Sequence, residues 1–350
     1  MPEPRGEFAR IAAIVAGLPP GEGVVVGPGD DAAVLRPRDG HDLVATTDTM
    51  VEGRHFRRDL LTPAQTGARL AAANLSDLAA MAAEPRWALV SLVVPARWSA
   101  AECEALERAC AQALAAEGAA VVGGNLVSGE GPLTATVTLL GEVVRDRAWT
   151  RRGARAGDVL AVSGEPGTAA AVLALALAPA GPSLSRAPQA LRQQFVAPPA
   201  RVRAARALAA VGGVRAAIDL SDGLAGDLAH LCATSAVGAW VDEARLPAGE
   251  PLRAAARALS TLAGPERASL PAGEGALLTL LQLSSSDDYE LLLAVEPEAW
   301  SRCTAAAAEA GCPLTAIGEF TAVPALELRR ADGERVPLPG RGWDHFPQGP

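Results

Sequence analysis

The residues with most capacity for chemistry are aspartates placed just after apolar runs. Leu43-Val44-Ala45 leads into Thr46-Thr47-Asp48, which reads as a buried strand carrying two hydroxyls and a carboxylate to its C-terminal end, where open sheets bind ligands. Such hard oxygen donors suit a hard divalent cation. Four further clusters repeat the theme. Gly27-Pro28-Gly29-Asp30-Asp31 sets two adjacent carboxylates in a glycine-rich turn, where they either form the turn or relieve their repulsion on a cation. Asn74-Leu75-Ser76-Asp77 interrupts an alanine-rich helical stretch with polar groups, which face either solvent or a ligand. Gly123-Gly124-Asn125 closes an apolar run, as a tight turn or as a place for phosphate to approach backbone N–H groups. Asp219 ends a fifth run, and Ser221-Asp222-Gly223 follows it.

These residues need rigid elements to hold them, and the pattern supplies them. Val24-Val25-Val26 and Ala32 to Leu35 read as strands flanking the Asp30-Asp31 turn. Thr62-Pro63 predicts an N-cap with proline in the first turn of a helix running through Leu78. Trp87 to Val94 is a continuous apolar strand, and Ser99-Ala100-Ala101-Glu102 is a capping box opening a helix to about Glu117. Leu133 to Gly141 makes a further strand, giving the first half five or six strands and two substantial helices. Arg151 to Asp158 marks a domain joint, as a solvated basic linker or as an arginine contact to phosphate. The chain therefore divides into residues 1–150 and 151–350. In the second half a strand over Val159 to Val162 precedes a helix from Ala169. Ser221 or Asp222 is placed to cap a helix through His230 and Cys232, with His230 packed on the helix body. Ala331-Asp332-Gly333-Glu334 predicts a hairpin turn, and Trp343-Asp344-His345-Phe346 a docked C-terminal segment.

Composition narrows the function. The 350 residues combine 49% hydrophobic with 20% charged residues and a net charge of -9, a globular balance with no basic block for nucleic acid. No lysine occurs; all 31 basic residues are arginine, which removes the P-loop lysine, the protein-kinase lysine and Schiff-base catalysis. Anionic substrates would thus be met through metal ions. The 5 cysteines contain no Cys-x-x-Cys pair and read as reduced, buried thiols of a cytoplasmic protein. No run is long enough for a membrane span.

Taken in order, Gly6-Glu7-Phe8, Gly29-Asp30-Asp31, Thr46-Thr47-Asp48 with Glu52-Gly53 and His55-Phe56, Asn74-Leu75-Ser76-Asp77, Gly123-Gly124-Asn125, Asp219-Leu220-Ser221-Asp222-Gly223, Asp288-Tyr289-Glu290, Ile317-Gly318 and Trp343-Asp344-His345-Phe346 resemble the thiamine-monophosphate kinase family nearly end to end. The resemblance implies an α/β (α+β), two-domain, aminoimidazole-ribonucleotide synthetase-like fold, in which the N-terminal sheets of a homodimer complete a barrel. It implies Mg2+-dependent transfer of the ATP γ-phosphoryl group to thiamine phosphate. It places Asp31, Thr46, Thr47, Asp48, Asp77, Asn125, Asp219 and Asp222 as metal ligands, with Asp48, Asp77 and Asp219 at the chemistry. Gly124, Asn125, Arg151 and Ser221 fall at ATP, and His55, Asp287 and Trp343 at thiamine phosphate. One departure stands out: Ser285-Ser286-Asp287-Asp288 replaces the family's Gly-Gly-Glu-Asp, which shortens the acidic side chain expected to meet the substrate. The alternatives are another ATP-dependent enzyme of this superfamily or a non-catalytic nucleotide- and metal-binding homologue.

Overall fold

A computed structural model of the chain describes residues 15–18, 21–178, 181–261, 271, 273–340 and 342. Two compact units divide it: one runs to Ala148 and takes back Val196–Val202, and the other holds Trp149–Phe195 and the chain from Arg203.

The first unit begins with strands β1 (Val24–Val26) and β2 (Val34–Leu35), antiparallel neighbours across the Asp30-Asp31 turn. Then follow β3 (His41–Val51), helix α1 (Pro63–Ala80), β4 (Glu84–Val94), α2 (Ala100–Ala116), β5 (Ala120–Ser128) and β6 (Thr134–Val144). The long strands form one sheet in the order β3-β6-β4-β5, so β3 and β5 are its two edges. Both helices start as their caps predict. Thr62 accepts from the Gln65 N–H at 3.3 Å while the Gln65 side chain accepts from the Thr62 N–H at 3.0 Å, with Pro63 in the first turn. Ser99 and Glu102 make the same reciprocal pair for α2, each such cap being worth about 1 kcal/mol. Strand alternation then decides which face each helix covers. Ala88, Val90, Leu92 and Val94 of β4, with Ala135, Val137 and Leu139 of β6, are buried, whereas Leu89, Val127 and Leu43 are 41%, 41% and 54% exposed on the opposite face. The β1–β2 pair covers one end of that open face: Trp87 is fully buried there against Val24, Ala33 and Leu35. Its indole N–H donates to the Glu22 carbonyl at 2.9 Å.

The second unit carries β7 (Val159–Ser163), α3 (Thr168–Ala176), α4 (Gln189–Val196), α5 (Val202–Val211), β8 (Val214–Asp219), α6 (Leu224–Ser235), β9 (Gly238–Asp242), α7 (Glu250–Ser260), α8 (Glu274–Leu283), β10 (Leu291–Val295), α9 (Trp300–Glu309), β11 (Leu314–Thr321), β12 (Leu326–Arg329) and β13 (Arg335–Pro337). The termini of α4 and α5 extend into the segment assigned to the first unit. Its seven strands run β13-β12-β9-β11-β7-β10-β8, antiparallel except for β12 beside β9. Leu160, Val162, Ile218, Leu224, Leu228, Leu292 and Phe320 form its core. The predicted hairpin at Asp332-Gly333 joins β12 to β13. All five cysteines are buried and none is in a disulfide. No described helix is long and apolar enough to cross a membrane.

Three local readings change. The Gly123-Gly124-Asn125 run does not end its strand: β5 continues to Ser128, paired with Val94. A Cβ on Gly124 would lie 2.0 Å from the Val90 carbonyl oxygen, so close strand approach already demands glycine there. His230 is exposed, not packed. Thr46-Thr47-Asp48 likewise does not end its strand: β3 continues to Val51, paired with Thr134.

Candidate active site

In the first unit, β3 and α1 bring one group together. Thr46 and Asp48 are two residues apart on a strand and so share a face, the one α1 packs on, and Asn74 and Asp77 are three apart on α1 and share its surface. The Thr46 hydroxyl donates to the Asp77 carboxylate. Because β3 is an edge strand, half of its N–H groups lack a ladder partner; that of Asp48 donates to the Asn74 side-chain oxygen at 3.2 Å. Asn74 is fully buried and its amide donates to the Leu70 carbonyl at 3.0 Å. Asn74 is thus the clamp between strand and helix, and Ser76 is buried as well; neither faces solvent. Burial, then the charge of Asp77 and a hydrogen bond with it, push the Asp48 carboxyl up to about 6. Two carboxylates held this close compete for one proton unless a cation sits between them.

Thr47 does not join them. Its hydroxyl is on the other face, donating to the Val137 carbonyl at 3.1 Å and meeting the Thr138 hydroxyl at 3.1 Å. Only its main-chain carbonyl remains a candidate ligand. His55 is exposed in the turn after β3, where its Nδ1 accepts from the Val51 N–H at 3.0 Å.

A second group stands at the other edge. The Gly27–Ala33 turn, Gly123, Gly124 and Asn125 of β5, Ser91 of β4 and Thr136 and Thr138 of β6 line a cavity of about 950 Å³, roomy enough for a nucleotide. Asp30 and Asp31 are exposed to it, and the Asp31 N–H donates to the Asp30 carboxylate at 2.9 Å. Edge β3 and edge β5 are separated by two strands, about 14 Å at ordinary strand spacing. Sequence reasoning missed one member of this cavity, Glu107 of α2. It is 8% exposed and its Oε2 atom has no hydrogen-bond partner; burial and then Glu104 push its carboxyl up to about 7. An acid at a core-facing helical position was the available signal.

In the second unit Asp219 closes β8 and is buried at 3% exposure. Neither Ser221 nor Asp222 caps α6: its N-cap is Gly223, with no side-chain cap. Instead Asp227, in the helix's first turn, reaches back and accepts from the Asp222 N–H at 3.1 Å. Asp227 is a second residue missed from sequence; it is buried, and burial followed by the Asp222 charge raises it to about 7. The charge of Arg151 acts on Asp227 in the opposite sense, so Arg151 is near this carboxylate pair; its guanidinium is otherwise exposed and its carbonyl accepts from the Ser235 hydroxyl at 2.9 Å.

The departure from the family pattern separates two neighbouring aspartates. Asp288 is buried and accepts from the Gly167 and Ala169 N–H groups at 2.6 and 2.8 Å, capping α3, while the Ser286 hydroxyl accepts from Ala170 N–H at 3.1 Å. Asp287 is partly exposed. Tyr289 holds the turn in the left-handed region at φ 56°, and its N–H donates to the Leu220 carbonyl at 2.9 Å, tying this loop to the Asp219 strand end. Trp343 lies outside the described residues. Among the described residues, no three His, Cys, Asp or Glu side chains converge as a metal cluster.

Comparison with known proteins agrees across the chain. Residues 29–143 match the family model "AIR synthase related protein, N-terminal domain", and residues 155–330 the corresponding C-terminal domain. The thiamine-monophosphate kinase of Escherichia coli is 36% identical over 324 residues, 92% of each chain. That of Caulobacter vibrioides is 36% identical over 318 residues, 91% of this chain and 84% of its own. Among solved structures, the thiamine-monophosphate kinase of Stenotrophomonas maltophilia superposes with TM-score 0.77 at 32% identity, covering 93% of this chain and 96% of its own. The AaThiL complex with AMPPCP and TMP gives 0.71 at 28% identity, covering 97% of both.

Proposed function

We infer that this chain, which belongs to the thiamine-monophosphate kinase family, transfers the γ-phosphoryl group of ATP to thiamine phosphate, giving thiamine diphosphate and ADP. The observation that carries this reading is the end-to-end match to kinases of that name, joined to a fold shared with a relative that holds an ATP analogue and TMP.

The chain's own residues fit the chemistry. Both reactants are anions and the acceptor phosphate is already ionised, so the protein must neutralise charge and align the groups rather than supply a strong base. The donor set Asp31, Thr46, Asp48, Asp77, Asn125, Asp219 and Asp222 is all hard oxygen, which suits Mg2+. Thr47 would join it through its carbonyl. Bound there, Mg2+ ions would offset phosphate charge and orient the transferred group. Asp48 and Asp77 are preset for that task, one within strand β3 and the other on the helix clamped to it by Asn74. Arg151, Ser221 and Gly124 are the proposed ATP contacts, and His55, Asp287 and Trp343 the proposed thiamine phosphate contacts, with Asp219 supporting the reacting phosphates. Residues 1–150 are then the N-terminal ATP-binding, metal-binding and dimerisation domain, and 151–350 the C-terminal domain. Five buried cysteines outside any disulfide favour the cytoplasm.

A homodimer is part of the proposal. The open face of the first sheet presents Leu43, Leu89 and Val127 beside a row of hydroxyls at Thr47, Thr49, Thr136 and Thr138, and its edges β3 and β5 carry Thr46 with Asp48 and Asn125 of the proposed ligand set. Closing two such sheets into a barrel buries the face and gives each edge a neighbour. Leu43→Arg, on this face but outside the nucleotide cavity, is expected to yield monomer by light scattering with loss of turnover; a dimeric, active variant would exclude this face. The activity itself is tested by incubating the protein with ATP, Mg2+ and thiamine phosphate: thiamine diphosphate should appear, and its absence would refute the reading.

A further inference from the structure

The described residues give the Glu107 carboxyl no bonding task at Oε2. Its Oε2 is unpartnered, its residue is 92% buried by the complement of 8% exposure, and it lines the same cavity as Gly124 and Asn125. The nearest cation on its helix, Arg108, is engaged by Glu104. Much of the wall around it is apolar, with Val15, Leu18, Leu35, Ala111 and Val121 contributing. Burying a carboxyl without a partner costs stability, and leaving it so makes sense when a ligand supplies the missing donor.

We propose that Glu107 is a specificity-determining residue of the nucleotide site, accepting a hydrogen bond from the nucleoside part of ATP. This rests on the kinase reading above. With Mg2+ held by the Asp30-Asp31 turn, that turn and Gly123–Asn125 would suit the phosphate end of the nucleotide, and the apolar walls suit its flat base. Adenosine offers a carboxyl only two kinds of neutral donor, the exocyclic amine of the base and the ribose hydroxyls. Either meets the same requirement, an N–H or O–H group brought within reach of Oε2. A site built around a buried acceptor rejects an analogue that lacks the donor, because the acceptor is then left unpaired.

The test is a coupling measurement on the full chain. Steady-state kinetics with saturating Mg2+ and thiamine phosphate would compare ATP with inosine triphosphate, 2′-deoxy-ATP and 3′-deoxy-ATP, for the parent, Glu107→Leu and Glu107→Gln. In the parent, deleting the donor that Glu107 reads should lower kcat/KM about tenfold or more, chiefly through KM, as for loss of a buried polar pairing. In Glu107→Leu the ATP KM should rise by a similar factor while the same analogue loses no further ground. Inosine triphosphate as the sensitive analogue would identify the base amine, and a deoxynucleotide a ribose hydroxyl. Melting of the unliganded variants checks folding independently: neither should melt below the parent, since the replaced carboxyl makes no internal bond at Oε2. If every analogue handicaps parent and variants alike, or the ATP KM of Glu107→Leu stays at the parent value, Glu107 does not read the nucleotide. A parent that makes no thiamine diphosphate would instead refute the kinase reading.

Discussion

The titration of Glu107 can be measured on the unliganded protein. Its carboxyl is raised to about 7 from an ordinary 4.5, by burial first and by Glu104 second. Charged groups near it among the described residues include Glu104 with its partner Arg108 on the same helix, and Asp30 and Asp31 on the turn lining the same cavity; Cys110, one turn along, is itself pushed up to about 12 by burial and by Glu107. The sign follows from proton counting. Between the two pKa values the folded chain keeps a proton that the unfolded chain has released, so stability falls as pH rises through this window. Linkage gives a loss of about 1 kcal/mol near pH 5, growing to about 3 kcal/mol near pH 8. In Glu107→Gln the amide carries whatever cost burial imposes at every pH, so the difference between parent and variant isolates the titration. Urea unfolding of both proteins at several pH values should show the variant gaining about 2 kcal/mol or more on the parent from pH 5 to 8. A flat difference would mean that Glu107 is ionised at little cost and has a partner or solvent path after all.

At the proposed metal centre, Asp48→Asn should abolish turnover in saturating Mg2+ while melting no lower than the parent, since a neutral amide relieves the repulsion from Asp77; retained activity would remove Asp48 from the ligand set. Thr46→Val should weaken Mg2+ binding about tenfold, in line with a lost hydrogen-bonded oxygen ligand, whereas Thr47→Val should leave it within about twofold because a carbonyl ligand survives the change. Calorimetric Mg2+ titration of the two variants separates those outcomes. Asp288→Ala should cost about 2 kcal/mol of stability through the lost cap on α3, seen in urea unfolding, and Asp287→Ala should instead raise the KM for thiamine phosphate with stability unchanged. The reverse pattern would exchange the roles of the two aspartates.

Much of this architecture was legible because it is written locally. The caps at Thr62 and Ser99, the strand at Trp87 to Val94 and the Asp332-Gly333 hairpin each rest on a few adjacent residues, and each formed where its pattern placed it. What was not legible depends on what lies across the fold. The role of Gly124 is set by the Val90 carbonyl on the next strand, and no local pattern distinguishes that from a phosphate cradle. Ser221 and Asp222 sit at an ideal capping position, yet Asp227 takes the Asp222 N–H from within the helix, and glycine at the cap leaves their side chains out of that bond. Adjacent Asp287 and Asp288 are the same residue type with different tasks, decided by which of them meets the start of α3.

The alternation of β3 carries the farthest consequence. A run of three oxygen-bearing residues looks like one ligand set in sequence, but successive strand side chains point to opposite faces, so Thr46 and Asp48 go to the helix side and the Thr47 hydroxyl to the open face. The remaining proposed ligands of the first unit then divide between the β3 edge and the β5 edge, with β6 and β4 between them. A site for a phosphate-rich substrate cannot be drawn together within that sheet without breaking the ladder that makes it rigid. An edge strand, however, is open to a neighbour by construction. On the homodimer proposed above, the same edges that would be a liability in an isolated monomer are where a second copy, covering the exposed Leu43 and Val127 face, would meet these residues.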